Sequence, residues 1–409
     1  MNYYQNFLTK GVCLFLVCSY ILRTYTILGI RMDEAIDIIL IFLYIFKFGL
    51  KGRVLPKSLN FYFIFWISTI VLSTGWTGLD ALRPLLGVAH TYLLYCLFFD
   101  KCDIQLLIRY YRCVATVCIC FFFLQEFTYI TTGIRIPGLI PGLTVSSEFG
   151  DNANLSSMLS IDNRSSSFFS EPAHFAQFLM PLLCVELFYA SDKNHFFRSA
   201  IIAVVMLLFQ SGNALIGLAA IGVMFLIKTL NEKKRMSKVI ASLFFLTFVI
   251  SCSVYFIKSE KGAAILERTD QLSVNDYESG QSGFIRIYRG YFVYANLSPI
   301  EKIIGVNDFK TLDTRIQTSS VGFMFDENDS YFNAIQTFLI KTGFIGLIIY
   351  LILIVKMWRG NNYTGKSCLA CLMALSFISS HYLTNLMAVF LIIAYKMKYE
   401  DKNKILIQN

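Results

Sequence analysis

Tyr331-Phe332-Asn333-Ala334-Ile335-Gln336-Thr337-Phe338-Leu339-Ile340-Lys341-Thr342-Gly343-Phe344-Ile345-Gly346-Leu347-Ile348-Ile349-Tyr350-Leu351-Ile352-Leu353-Ile354-Val355 carries one charged side chain, Lys341. A helix needs about 20 predominantly apolar residues to cross the hydrocarbon core of a bilayer, and this run is longer. Further apolar runs lie at 11–30, 35–50, 59–74, 81–99, 111–130, 172–190, 199–210, 212–230, 238–257, 363–380 and 384–396. Together they predict twelve spans. The pair 199–210 and 212–230 forms a tight hairpin broken at Gln210-Ser211-Gly212-Asn213, and the last two spans share a turn near Ser379-Ser380-His381.

The bulk numbers agree. Of 409 residues, 56% are hydrophobic and 15% charged, with a mean hydropathy of +0.58. A soluble core cannot hide that much apolar surface. A soluble enzyme, a secreted disulfide scaffold and a disordered chain are excluded. The expected fold class is an all-α polytopic membrane protein.

The net charge of +9 sorts by position. With both termini cytoplasmic, most of the 36 Lys and Arg flank the inner ends of spans, as the positive-inside rule requires. The excess therefore reads as topology, not as a nucleic-acid face. The start, Lys10 and then an apolar run without a small-residue cleavage site before Arg23, reads as a retained span. The predicted organisation is spans one to five over 1–130, a large outside segment over 131–171, spans six to nine over 172–257, a second outside segment over 258–330, and spans ten to twelve with a cytoplasmic tail over 331–409. Neither outside segment holds any of the 11 cysteines. No paired CxxC motif exists, so structural disulfides and a zinc site are not expected.

Chemistry-bearing residues gather in the outside segments. The first ends Arg164-Ser165-Ser166-Ser167-Phe168-Phe169-Ser170-Glu171-Pro172-Ala173-His174-Phe175. Ser170 suits an N-cap and Pro172 a first helical turn. Arg164 and His174 beside that helix start would make an anion site. The second segment carries Arg286-Ile287-Tyr288-Arg289-Gly290-Tyr291. On a helix Arg286 and Arg289 share a face, with Tyr288 and Tyr291 between and beside them. Guanidinium forks suit phosphate and aromatic rings suit sugar faces, though an amphipathic surface helix explains the spacing equally. Asp326-Glu327-Asn328-Asp329-Ser330 reads as the acidic cap of span ten, or as a site for a hard cation. Asp33, Glu34 and Asp37 form a comparable acidic set.

Ionisable groups within spans usually face a cavity or a partner. They are Arg23, Arg83, His90, Glu126, Glu186, Lys341 and His381. Arg83 sits at the outer end of span four, and Glu186 and Lys341 are candidates to pair or to snorkel. No P-loop, Rossmann glycine pattern, HExxH or Gly-x-Ser-x-Gly elbow occurs. Inverted repeats and Gly- or Pro-broken helices of the transporter kind are not evident either.

Several of these stretches resemble O-antigen polymerases of the Wzy type, in the O-antigen polymerase/ligase superfamily. Arg164 to Phe178 is similar to the start of the span after that family's first large loop. Gln210-Ser211-Gly212-Asn213-Ala214-Leu215-Ile216-Gly217 resembles its serine-centred hairpin. Arg286 to Gly305, with Pro299, resembles the arginine-bearing second loop, and Asn328-Asp329-Ser330-Tyr331 with Lys341-Thr342-Gly343-Phe344-Ile345-Gly346-Leu347 resembles the following span. The likeness covers roughly 160–350. Related ligases place a His just before the span starting near Tyr331, where this chain has Asn328 and Asp329.

The resemblance implies a GT-C-like glycosyltransferase of the bacterial plasma (inner) membrane that needs no cofactor or metal. Its substrates would be undecaprenyl-pyrophosphate-linked oligosaccharide units at the outer face. The growing chain would move from its lipid pyrophosphate onto the next lipid-linked unit. Arg286 and Arg289 would stabilise the departing pyrophosphate, with Arg164 as a further clamp. Glu171, His174 or Asp329 would be the base. Arg83 and Arg135 would line the outside chamber, with Asn328 and Asp329 near the substrate and Tyr288 and Tyr291 stacking sugars. A chain-length regulator and membrane lipid are expected partners. An O-antigen ligase, a metal-dependent transferase using the acidic sets, and a polysaccharide flippase or transporter are the alternatives.

Overall fold

The computed structural model describes residues 2–49, 55–74, 78–145, 165–209, 211–231, 287–325 and 332–407. Span 238–257, residues 146–164, 258–286 and 326–330 of the two long outside segments, and with them Arg164, Arg286, Asn328 and Asp329, lie outside the described residues.

The described residues are mostly helical. The long helices are α1 (Asn2–Leu22), α2 (Met32–Phe48), α3 (Lys57–Thr74), α4 (Gly78–Lys101), α5 (Ile104–Thr132), α6 (Pro172–Phe188), α7 (His195–Leu208) and α8 (Gly212–Asn231). Three short helices follow, α9 (Arg289–Ala295), α10 (Pro299–Ile304) and α11 (Phe309–Gln317). The chain then completes α12 (Ala334–Trp358), α13 (Tyr363–Ser376) and α14 (Asn385–Ile407). By length and composition, 4 of the helices are apolar enough to cross a membrane: Leu82–Lys101, Ile104–Thr132, α8 and α12. Shorter apolar helices accompany them.

The exposed surface is that of a membrane protein. Helix α2 turns Ile38, Ile39, Phe42, Leu43 and Phe46 outward while burying Asp33 and Asp37. Water would favour the opposite arrangement, and hydrocarbon favours this one. Inside, α13 packs against α6, α8 and α14, α1 against α2 and α5, and α3 against α4 and α12.

Local chemistry sets the helix ends. Asp103 caps α5 by accepting from the Leu106 amide at 2.9 Å, and Gly133 closes it at φ 71°. The cap of α12 is Asn333, in a reciprocal capping box with Gln336, and not the acidic run at 326–330. Glu171 stands at the N-cap of α6, with Pro172 following. Ser170, the expected cap, instead places its Oγ 2.8 Å from His174 Nδ1.

Two expectations about the fold are corrected. The first span ends at Leu22, not at residue 30. Tyr25–Ile27 and Ile30–Arg31 turn back through Leu28 and Gly29, both at positive φ, and Thr144–Val145 adds a third antiparallel strand. The absence of broken helices is also overturned, because Gly343 interrupts α12 at φ 64°, ψ −172°. This conformation is essentially confined to glycine.

Glu186 does not pair with Lys341. Its carboxylate is fully buried and takes Arg112 and Arg198, the latter at 2.7 Å. Asp192 completes the cluster, bonded to Arg198 at 2.7 Å. This ties α5, α6 and α7 together at the end of the bundle opposite the long segments. The Arg198 bonds hold the exposed Asp192 carboxyl low, at about 2.

Candidate functional site

The first long segment returns by dipping between helices. Ser167 is fully buried at φ 55°. Its amide donates to Gln125 Oε1 and its hydroxyl to the Cys118 carbonyl, both at 2.8 Å. Cys118 lies midway along α5, about 21 Å from either end at 1.5 Å per residue. Irregular backbone is tolerated at that depth only where protein satisfies its polar groups. Gln125 does so from both sides, since its Nε2 also donates to the Ile136 carbonyl at 2.8 Å. Gly138 lets the two strands of this segment touch, because a Cβ there would lie 1.9 Å from the Ser167 carbonyl oxygen.

Below this dip runs a chain of polar side chains. Tyr20 donates to Gln177 Oε1 at 2.7 Å, and Gln177 Nε2 donates to Ser379 Oγ at 2.8 Å. Ser379 donates in turn to Asn213 Oδ1 at 3.2 Å. Gln177, Ser379 and Asn213 are all buried. The same Ser379 accepts the Ala334 amide on its carbonyl at 3.0 Å, and Asn333 Nδ2 donates to the Phe377 carbonyl at 2.9 Å. Helices α1, α6, α8 and α12 and the turn after α13 are thus joined at one point. His174 lies at the rim, edge-on to Tyr20 with centroids 5.4 Å apart.

The second segment seats on the break in α12. Val306 donates its amide to the Ile340 carbonyl at 2.7 Å, and Asn307 Nδ2 donates to the Lys341 carbonyl at 2.9 Å. Asn307 also reaches α3, accepting from Trp66 Nε1 and donating to Thr69 Oγ1, both at 3.3 Å. Gln336 Nε2 donates to the Ile287 carbonyl at 2.8 Å, fixing the start of α9 above α12.

The other candidates take distinct places. Arg289 is fully buried with its guanidinium carbon 3.9 Å from the Phe325 ring centroid, inside a small apolar core of Val293, Ile316, Val321, Phe332 and Ile340. Arg135 stacks on Tyr129 at 4.0 Å and lies 3.7 Å from Glu126. Arg83 and Glu171 are exposed, while Tyr288 and Tyr291 are half-buried. The structure brings His174 to the polar chain and sets Arg289, Arg135 and Arg83 apart from it. Arg31 binds Asp33, through Nη2 at 2.9 Å, and Glu34 at 3.4 Å. Among the described residues no group of three or more His, Cys, Asp or Glu could hold a metal ion.

Electrostatics of the second segment are local. Burial raises Glu301, but its bonds from Arg315 and Ser298 prevail and hold the carboxyl low. Thr311 holds Asp308 low through hydroxyl and amide bonds, partly offset by burial. Burial raises the Tyr291 phenol.

Sequence reading missed Tyr20, Gln177, Asn307 and Thr69. A polar residue within a span, such as Gln177, was the available signal. No protein-family model matches the chain, and no curated protein matches it. Fold and site together define a helical membrane protein with a dipping segment and a broken helix at its loop-bearing end.

Proposed function

We propose that this chain polymerises lipid-linked oligosaccharide units into a surface polysaccharide, transferring the growing chain from its undecaprenyl pyrophosphate onto the next unit. The observation that carries this reading is convergence. The four stretches that resemble O-antigen polymerases are far apart in sequence. Their described parts meet through the Gln177–Ser379–Asn213 chain, the Ala334–Ser379 bond and the contact of Gly305 with α12. A twelve-span GT-C-like topology with both termini cytoplasmic belongs to this proposal, and it puts the convergence at the outer face.

In this reading His174, oriented by Ser170, or Glu171 takes the acceptor hydroxyl proton. The pyrophosphate leaves readily, so fixed cations suffice to stabilise it. Arg289 is committed to its own apolar core, so the clamp role passes to Arg286 and Arg164. The break at Gly343 supports one alternative, a polysaccharide transporter, because broken helices are common there.

Deleting the gene decides between them. The expected outcome is surface glycan carrying a single repeat unit on the lipid core. Complete loss of glycan would favour a ligase or a flippase.

A further inference from the structure

Lys341 is the only charge in its apolar run, and it stands two residues before the break. It does not face lipid as its neighbours Phe344, Ile345 and Ile348 do, which are exposed. Its Nζ lies 5.8 Å from the Tyr382 ring centroid. Tyr382 is backed by two buried aromatics, Trp66, 5.2 Å away in an edge-on contact, and Tyr62, whose hydroxyl is 3.0 Å from that of Tyr382. Asn307 closes the same side, bonded to Trp66, Thr69 and the Lys341 carbonyl. Lys341, Tyr382 and Asn307 each keep part of their surface exposed.

No carboxylate among the described residues forms an ion pair with Lys341. An ammonium at such depth is costly without a counter-charge. Lysine meets phosphate as a point charge, and aromatic walls suit the apolar or sugar groups on either side of a phosphate.

We infer that Lys341, Tyr382, Trp66 and Asn307 form a binding site for a phosphate ester carried on a lipid. The ammonium neutralises the phosphate, Tyr382 and Trp66 pack against the attached groups, and Asn307 holds the broken backbone that presents Lys341. This site is separate from the arginine clamp and does not require the polymerase reading. A polyprenyl phosphate and an ordinary anionic phospholipid share the recognised chemistry.

The test uses purified full-length protein in detergent, titrated with a short polyprenyl phosphate, with phosphatidylglycerol and with inorganic phosphate, and read by tryptophan fluorescence. The wild type is expected to bind a lipid phosphate. K341Q should weaken that binding by about tenfold or more, the size of a lost charged hydrogen bond, and K341R should restore it. Preference for the polyprenyl probe over phosphatidylglycerol assigns the source to lipid-linked intermediates, and equal binding assigns it to membrane lipid. A second measurement needs no variant: bound ligand should shield Lys341 from an amine-acylating reagent, read by mass spectrometry. Equal affinity of K341Q and wild type, binding of no lipid phosphate, or undiminished acylation at saturating ligand overturns the inference. Normal chain length after gene deletion would sink the polymerase reading and leave this site standing.

Discussion

Gly305 and Gly343 face each other across the seam between the second long segment and the broken helix, and neither has room for a side chain. A Cβ on Gly305 would lie 2.3 Å from the Lys341 carbonyl carbon and oxygen, and one on Gly343 would lie 2.2 Å from the Ile303 carbonyl oxygen. Both residues also have positive φ, 86° and 64°. Gly343→Ala should therefore destabilise the protein by roughly 2–4 kcal/mol, combining backbone strain with a rigid clash. Gly87, in α4, has open space around its Cβ position, so Gly87→Ala should stay within about 0.5 kcal/mol. Thermal unfolding of the detergent-solubilised variants checks both.

The buried Glu186 predicts coupling. Arg112 and Arg198 are 35% and 29% exposed at their side chains, whereas Glu186 is 0% exposed. Losing one arginine leaves the other to neutralise the carboxylate, so each single Ala variant should cost about 1 kcal/mol after solvent screening. Losing both strands a buried charge at about 3–5 kcal/mol. A double-mutant cycle should find the pair of changes well beyond additive.

Glu301 and Asp308 give the second segment a pH dependence of defined sign. Both folded carboxyls are held below their ordinary values. The stability they add is therefore present above the ordinary carboxylate range of about 4 and is lost as pH falls through the folded values. Limited proteolysis of 287–325 should accelerate below about pH 4, and the Glu301→Gln/Asp308→Asn double variant should flatten that response. An unchanged profile in the double variant would contradict the assignment.

Gln177 holds Tyr20 and Ser379 at once. Gln177→Leu keeps approximate volume but removes one hydrogen bond from each hydroxyl, at about 1–3 kcal/mol. Ser379→Ala instead takes the partner from Gln177 Nε2 and from Asn213 Oδ1, both buried, and should cost a similar amount. Melting temperatures of the two variants should fall together below that of the wild type.

Arg286 and Arg289 should separate cleanly. Arg289 supports the fold of its segment, so Arg289→Met should raise the protease sensitivity of 287–325. In the polymerase reading, Arg286→Ala should abolish long chains while the protein inserts at normal levels. A normal chain-length ladder from Arg286→Ala would remove that residue from the chemistry.

Much of the helical layout was legible because burial in lipid imposes a simple demand on composition. The runs at 59–74, 172–190 and 212–230 coincide with the helices Lys57–Thr74, Pro172–Phe188 and Gly212–Asn231 to within a few residues. Depth was not legible. Ser165–Ser170 reads as polar loop because its partners, Gln125 and the Cys118 carbonyl, are supplied from a helix some 40 residues earlier. The break at Gly343 was hidden for a related reason: one glycine does not disturb an apolar run, and the residues that seat on it, Val306 and Asn307, come from another segment. Arg289 misled because arginine spacing speaks of a shared face but not of which face is covered.

The descent of Ser167 to the middle of α5 also constrains biogenesis. Its peptide groups cannot be left facing lipid while the chain emerges. They find partners only once α5 has delivered Gln125 and the Cys118 carbonyl, and α6 must already be anchored to hold the far side. Residues 165–170 are therefore among the last to settle, after the helices that bracket them. The dip is completed by maturation of an inserted bundle, not by the insertion itself.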